Sequence, residues 1–345
     1  MSKGSKGENM KRLLICLLFC TLLISCGKKP IKDDYGCFVN YEDTLDYADQ
    51  KKLPILLFFT SEGDDEESTQ IVSDVFKDQS FAIDILKHYA VCHADFSQKA
   101  FAKMNASDNA DAEEQELANT YTTVMQTNYQ LAMLFNVDSM PAVFLCTKEG
   151  FVVARLDSEK SIWTMNDFKS TLESYSEKLT KFNSLVAKAS KGSNEAKIET
   201  IDELYNATAS EYRSFLIPLI KLVPQLDKTN TTGLCSKYLV AGAEAQALIL
   251  YSQGDVDNAV KQYLEAANNE YVKAEDKQEC LYTAAYLVAY SGSEDYQGII
   301  SYLQTAYDIA PSSSKAQGIK DAITYYQTVI ENIGSYEQMD IGDAK

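Results

Sequence analysis

The sequence predicts an α/β domain followed by an all-α domain built from helical repeats. Three observations lead to this prediction. An apolar run at residues 55–59 has the pattern of a strand that is buried on both faces, and helical patterns precede and follow it. The composition changes after residues 190–193, beyond which no strand-like alternation remains. The C-terminal part also repeats itself at an offset of 40 residues, as stacked helical hairpins do.

The N-terminus has the pattern of a secretory signal. Lys11 and Arg12 precede an apolar run at residues 13–24, which is shorter than the roughly 20 apolar residues that a membrane-spanning helix needs. We therefore expect residues 1–25 to be a signal peptide. Met10 by itself also gives a compact basic start, so the sequence leaves open whether translation begins at Met1 or at Met10.

The end of this signal resembles the lipobox of bacterial lipoproteins. The motif is Leu23-Ile24-Ser25-Cys26, at the end of the apolar run. The resemblance implies cleavage before Cys26, lipid on that cysteine and attachment to a bacterial membrane, with residues 26–37 as the tether. Gly27, where some lipoproteins carry aspartate, favours the outer membrane, facing the periplasm or the cell surface; the sequence does not decide which membrane it is.

The charge of the chain argues against nucleic acid as a partner. The net charge is −18, and from Cys26 onward 28 basic residues face 49 acidic ones, which gives −21. Such a surface repels phosphate backbones. The chain has two histidines, too few for an ordinary metal site, so we expect neither a metal nor a cofactor.

The cysteines do not form the pattern of a disulfide framework. Past Cys26 their number is odd, they are widely spread, and no CxxC occurs. They are Cys37, Cys92, Cys146, Cys235 and Cys280. Cys92 and Cys146 fall in strands predicted to flank the same central strand, which places them beyond the reach of a disulfide. We expect buried free thiols, and we expect His93, beside Cys92, to be a structural histidine.

Residues 38–180 are predicted to form the α/β domain. Its strands are predicted at 55–59, 89–96, 141–146 and 151–156, and its helices at 41–51, 65–76, 80–88, 119–135 and 166–190. The resulting order is β-α-β-α-β-β-α. Residues 97–118 stand outside this order as an acidic insertion, for which we expect either a solvated excursion or an extra polar helix.

This domain resembles the thioredoxin superfamily, in particular a bacterial subfamily whose members read roughly FFTGSDWCxWCKKLxxEVF. Five patches carry the resemblance in the right order: Phe59-Thr60, residues 71–76, residues 93–96, residues 134–141 and Lys148-Glu149-Gly150. The resemblance implies a thioredoxin-like fold, and it places Pro141 at the position of the family's cis-proline. In redox relatives the proline loop presents backbone to an extended peptide.

The family's two redox cysteines are missing from this chain. The alignment puts Asp65 and Ser68 at their positions, in the segment Asp65-Glu66-Glu67-Ser68. Thiol–disulfide exchange needs a thiolate and a second thiol, and neither a carboxylate nor a hydroxyl can replace them. The acidic residues are instead expected to cap the helix that follows, since carboxylates satisfy the free N–H groups of a helix N-terminus.

Residues 181–345 are predicted to be helical, with helices at 194–208, 211–225, 233–252, 256–269, 272–291, 295–309 and 313–333. Gly254 marks a turn, Ala259 and Ala266 are small, and Tyr263 is aromatic; Tyr290, Ala306 and Pro311 match a second copy. This pattern resembles tetratricopeptide repeats, which implies that these seven residues are packing positions. The repeat is 40 residues rather than 34, and the opening signature of the family is absent. The resemblance implies stacked hairpins with a concave groove for a peptide or another protein. Most of the many tyrosines are expected to pack between helices.

The sequence thus predicts an envelope-anchored, non-redox lipoprotein that binds or scaffolds other envelope proteins or peptides through its helical repeats. The alternative is a thiol–disulfide oxidoreductase or isomerase that uses an unusual cysteine, Cys92 or Cys37. The loss of the CxxC pair weighs against an enzyme, and the sequence does not identify the partner or the oligomeric state.

Overall fold

The computed structural model describes residues 30–107, 109–156 and 163–342. The chain divides into two compact units. The first contains the residues up to 192 together with 199–216, and the second contains 193–198 and the residues from 217 onward. The signal peptide predicted at 1–25 and the lipidation predicted at Cys26 lie outside the described residues.

A four-stranded mixed sheet forms the centre of the first unit. Its strands are β1 (Ile55–Thr60), β2 (Ala90–Asp95), β3 (Ala142–Cys146) and β4 (Val152–Leu156), and they lie in the order β2-β1-β3-β4. β1 is parallel to β2 and antiparallel to β3, and β3 is antiparallel to β4. The four strands coincide with the predicted ones, and their order and directions are consistent with a thioredoxin-like fold.

The helices of the first unit follow the predicted order, but two π-helical turns and the division of one helix were not predicted. They are α1 (Tyr41–Lys51), α2 (Glu66–Ile71), α3 (Gln98–Ala102), α4 (Ala112–Leu134), α5 (Met165–Ser174) and α6 (Ser176–Lys188). The chain after α2 continues as a π-helical turn at Val72–Phe76, and a second π-helical turn, Phe81–Ile85, stands where a helix is predicted. The helix predicted at 166–190 is divided at Tyr175 into α5 and α6.

The acidic insertion contains helix rather than only an excursion. α3 lies within it, and α4 begins at Ala112, seven residues before the predicted start at 119. The Asp111 side chain explains the earlier start, because its carboxylate accepts hydrogen bonds from the N–H groups of Glu113 and Glu114 at 3.0 and 2.9 Å. An N-terminal cap of this kind stabilises a helix by about 1 kcal/mol.

Part of the predicted tether is built into the first unit. Phe38 bridges to Cys92 at the free edge of β2, and Lys32 bridges to Phe38 on the other side. The Phe38 N–H donates to the Val91 carbonyl at 2.9 Å, and the Phe38 carbonyl accepts from the His93 N–H at 2.8 Å. Cys37 is fully buried. The packed structure therefore begins before residue 38.

The segment at residues 194–226, which lies inside the predicted repeat domain, is helical but broken. A helix, α7 (Asn194–Ala207), is followed by a 3₁₀ helix at Ser210–Leu216 and by the single turns α8 (Ile217–Ile220) and α9 (Val223–Leu226). The sequence analysis predicts one helix at 211–225. Pro218 and Pro224 explain the breaks, since proline has no N–H to donate and clashes with the preceding turn of a helix.

The second unit contains five longer helices in succession. They are α10 (Cys235–Ser252), α11 (Val256–Ala267), α12 (Ala274–Tyr290), α13 (Tyr296–Ile309) and α14 (Ala316–Gly342). Each packs against the next, and α10 also contacts α12. Their shared core contains many alanines, among them Ala259, Ala284 and Ala306, which are fully buried. Small side chains at these positions let helix backbones approach closely. No helix in the described part of the chain is both long enough and apolar enough to cross a membrane.

We expect Ala306→Leu to destabilise the second unit by about 1–3 kcal/mol, because three extra carbon atoms have no space in a filled core. Thr305→Leu is the matched control. Thr305 precedes Ala306 on α13 and is exposed, so a leucine there adds no atoms to the core. Urea unfolding of the two variants measures the difference. Equal stabilities would contradict the packing described for α13.

Candidate functional site

The positions of the family's redox cysteines lie at the start of α2. Asp65 is the N-terminal cap, and its carboxylate accepts a hydrogen bond from the Ser68 N–H at 2.6 Å. Asp64, Glu66 and Glu67 are exposed around it. The structure therefore confirms the expected capping role. The site holds carboxylates where the family carries a nucleophilic sulfur.

Ser68 occupies the second position of the pair and has a distinct environment. Its side chain is fully buried, and its Oγ has no hydrogen-bond partner among the described residues. A buried hydroxyl without a partner costs free energy and contributes no thiol chemistry. It can neither resolve a mixed disulfide nor exchange electrons.

Pro141 lies at the same end of the sheet as α2. The Met140–Pro141 peptide bond is cis, as predicted. The next residue, Ala142, pairs with Phe59 on β1, one residue before that strand ends at Thr60. The chain then turns into α2. The sheet register thus brings Asp65, Ser68 and Pro141 to the same end of the sheet, where β1 ends.

Cys92 and Cys146 are buried away from this end of the sheet. Cys92 on β2 pairs with Leu57 and Cys146 on β3 pairs with Ile55, so both lie beside the middle or start of β1 and on opposite sides of it. All five cysteines of the described residues are buried and free, as expected. Burial raises the pKa of the Cys92 thiol to about 12, and burial also raises the pKa of Cys37.

This arrangement removes the support for Cys37 or Cys92 as an unusual redox nucleophile. Such a cysteine needs solvent access and a pKa low enough to form a thiolate near neutral pH. Both side chains have no exposed surface, and both pKa values are shifted in the opposite direction.

A buried chain of hydrogen bonds links the tether to the sheet. His93 on β2 donates from Nδ1 to the Asp33 carboxylate, with 2.7 Å between Nδ1 and Oδ2, because an ionised carboxylate only accepts. Its Nε2 lies 2.8 Å from Oγ1 of Thr60 at the end of β1. The other oxygen of Asp33 accepts from the N–H groups of Tyr35 and Cys37. His93 is therefore a structural histidine, as predicted.

Hydrogen bonds join Asp33, His93 and Thr60 in the same order as an acid, a base and a nucleophile in a catalytic triad. The burial of these side chains argues against a catalytic role. Thr60 has no exposed surface and His93 is 3% exposed. Phe76 packs its ring edge-on against His93 at 4.8 Å between centroids, and the Tyr35 ring lies at 6.3 Å. A substrate has no access to the Thr60 hydroxyl. The sequence analysis did not single out Asp33, because nothing in a predicted tether indicates that one carboxylate reaches a strand 60 residues away.

In the second unit, most of the residues named as repeat positions are buried or lie at a turn or helix end. Gly254 forms the turn between α10 and α11 with a φ of 79°, a conformation that favours glycine. Ala259, Ala266 and Ala306 are buried, Tyr263 is 9% exposed, and Pro311 follows the end of α13.

Tyr290 is the exception, and its assignment as a packing residue is wrong. It is the last residue of α12, and its side chain is 75% exposed. Its ring lies 5.7 Å from that of Tyr286, which lies 4.7 Å from Tyr282, so the three form a ladder along one side of α12. Helical spacing of four residues produces this alignment.

Two parts of the chain are similar to known proteins. A family model described as "Uncharacterised protein C-terminal domain" matches residues 234–332, which run from the residue before α10 into α14. Among solved structures, one described as "DsbH Oxidoreductase" is similar, with 18% sequence identity and a TM-score of 0.30 over 46% of this chain and 92% of that chain. No curated protein matches the chain.

We expect the five cysteines from Cys37 to Cys280 to resist alkylation in the folded protein and to react in concentrated guanidinium chloride. Their burial excludes both reagent and thiolate. Mass spectrometry after maleimide treatment counts the modified thiols in each state. Rapid labelling of Cys37 or Cys92 under native conditions would show that one of them is accessible after all.

His93→Leu is expected to lower the free energy of unfolding by about 2–4 kcal/mol, because it leaves the Asp33 carboxylate and the Thr60 hydroxyl without their shared partner. His88→Leu is the matched control, since His88 is exposed and its loss should change stability by less than about 0.5 kcal/mol. Chemical denaturation of the two variants tests this. An unchanged free energy of unfolding in His93→Leu would mean that these hydrogen bonds contribute nothing to stability.

Proposed function

We propose that the protein is an envelope lipoprotein that binds other proteins and has no redox activity. In this proposal a lipid on Cys26 holds the chain at a membrane surface, most simply the outer membrane. The first unit is a thioredoxin-like module without thiol chemistry, and the second is a tetratricopeptide-like array of helical hairpins. Its partners are envelope proteins or peptides.

The observation that carries the proposal is the state of the thiols. The family's redox positions hold a capping carboxylate and a buried hydroxyl, and every cysteine of the described residues is buried with no exposed thiol near Pro141. A module with this fold and without nucleophilic sulfur retains only binding surfaces. The acidic surface of the chain favours protein partners over nucleic acid.

The second unit supports the binding role through its construction. Successive helices pack on one another in sequence order, as in repeat proteins, in which each hairpin contacts mainly its neighbours. The side chains of Tyr286, Tyr290 and Tyr325 remain exposed on this array. Large aromatic side chains on a surface are typical of protein-binding sites.

Site-specific photo-crosslinking in the native bacterium tests the proposal. A photoreactive residue at Tyr290 in the second unit is expected to yield discrete protein adducts that mass spectrometry identifies, whereas one at Lys87, exposed in the first unit, serves as the comparison position. Cys26→Ser is expected to move the chain from the membrane fraction to the soluble fraction. Insulin reduction by the purified chain, or a trapped mixed disulfide with a substrate, would contradict the non-redox assignment.

A further inference from the structure

Six tyrosines of the second unit form two ring clusters, which together we call the tyrosine face. The first is the ladder of Tyr282, Tyr286 and Tyr290 on α12, and the second consists of Tyr296 on α13 with Tyr325 and Tyr326 on α14. In the second cluster, Tyr325 and Tyr326 have ring centroids 5.1 Å apart, and Tyr326 stacks on Tyr296 at 6.1 Å. α13 packs against both α12 and α14, and the two clusters share one core.

The tyrosine face is anchored on one side and open on the other. Tyr282, Tyr296 and Tyr326 are partly buried and pack against the core of the unit. Tyr286, Tyr290 and Tyr325 are 37%, 75% and 63% exposed. The inner rings therefore hold the outer ones in place, and the outer rings are accessible to solvent.

The charges around this face have one predominant sign. Residues 274–333, which contain all six tyrosines, carry eight acidic residues and three basic ones. Glu279 lies near the start of the ladder, where its charge contributes to the raised pKa of Tyr282 after burial and the neighbouring Tyr286. Glu294 and Asp295 are exposed directly before Tyr296.

The cation–ring contacts found among the described residues involve rings outside the tyrosine face, such as Lys103 over Tyr121 and Arg213 over Tyr205. Lys315 lies close to the start of the ladder, where it pairs with Glu279 rather than with a ring. Tyrosine rings attract cations through their negative faces, and a surrounding excess of carboxylates adds to that attraction. The surface is thus complementary to positive charge.

We propose that the tyrosine face binds an arginine-rich segment of a partner protein. Arginine fits better than lysine, because its planar guanidinium stacks on aromatic rings while still donating hydrogen bonds to carboxylates. The guanidinium groups of the segment would contact the exposed rings of Tyr286, Tyr290 and Tyr325 from the solvent side. This inference names the partner chemistry of the binding role proposed above and rests on it.

Fluorescence anisotropy with labelled peptides tests the inference on the full chain in detergent. The probes are three twelve-residue peptides of repeating Arg-Gly-Ser, Lys-Gly-Ser and Glu-Gly-Ser. We expect the arginine peptide to bind, the lysine peptide to bind several-fold more weakly and the glutamate peptide not to bind. Equal binding of the arginine and lysine peptides would indicate general acidity rather than stacking and would overturn the inference.

Variants of the two exposed ladder residues separate the face from the rest of the acidic surface. The double variant Tyr286→Ser, Tyr290→Ser is expected to bind the arginine peptide about 10-fold more weakly. The double variant Tyr286→Phe, Tyr290→Phe keeps the rings, and its affinity for the peptide is expected to stay within about twofold of the original. Tyr129→Ser, at an exposed tyrosine of the first unit, is the control and should have no effect. Thermal unfolding followed by circular dichroism checks that each variant is folded.

The outcome also distinguishes this inference from the broader proposal. If no peptide binds, or if the double serine variant binds as well as the original chain, the tyrosine face does not take arginine-rich segments. Protein adducts formed in the photo-crosslinking experiment would then still support the binding role. Failure of both experiments would remove the binding role itself.

Discussion

The complete burial of β1 is the constraint on which the first unit depends. All six residues from Ile55 to Thr60 are inaccessible to solvent, because β2 and β3 cover the edges of the strand and helices cover its faces. Each buried aliphatic or aromatic side chain contributes roughly 1.5–3 kcal/mol. The strand ends with a hydroxyl, however, and a buried hydroxyl needs a partner. His93 provides it from β2, and Asp33 in turn orients His93.

The start of α2 shows how a carboxylate can satisfy a helix N-terminus without any thiol chemistry. The start of α2 still requires groups that satisfy its free N–H donors, and the Asp65 carboxylate meets that requirement. A thiolate at this position would gain the same stabilisation from the helix N-terminus and would also be a nucleophile. The carboxylate keeps the structural part of that arrangement only. Ser68 conserves the small size of the second position without its sulfur.

The elements that follow local rules could be predicted from the sequence, and those that depend on distant partners could not. The strands are apolar runs of strand length, and α10 to α13 begin and end within about two residues of their predicted bounds because turn residues such as Gly254 mark them. The start of α4 was misplaced because Asp111, one acidic residue among many, has no local mark that distinguishes a cap. The π-helical turns after α2 also have no local signal.

The residues of the candidate site also differ in whether a local signal or a distant partner determines their role. Family positions such as Asp65 and Pro141 can be located by alignment, and the cis bond and the capping follow from their residue types. Asp33 could not be found, since its partner is 60 positions away. Tyr290 was misassigned because a repeat pattern records spacing and not the direction of a side chain at a helix end. Tyr290 is the last residue of α12, where its side chain is 75% exposed.

The attachment of Asp33 to the sheet also limits how far the folded part can stand from a membrane. If Cys26 carries lipid, Asp33 lies only seven positions further along the chain from the acylated residue. A fully extended chain of that length spans about 25 Å. The first unit would then sit almost against the headgroups, with little freedom to swing outward, so any partner would have to be met within a few nanometres of the lipid surface.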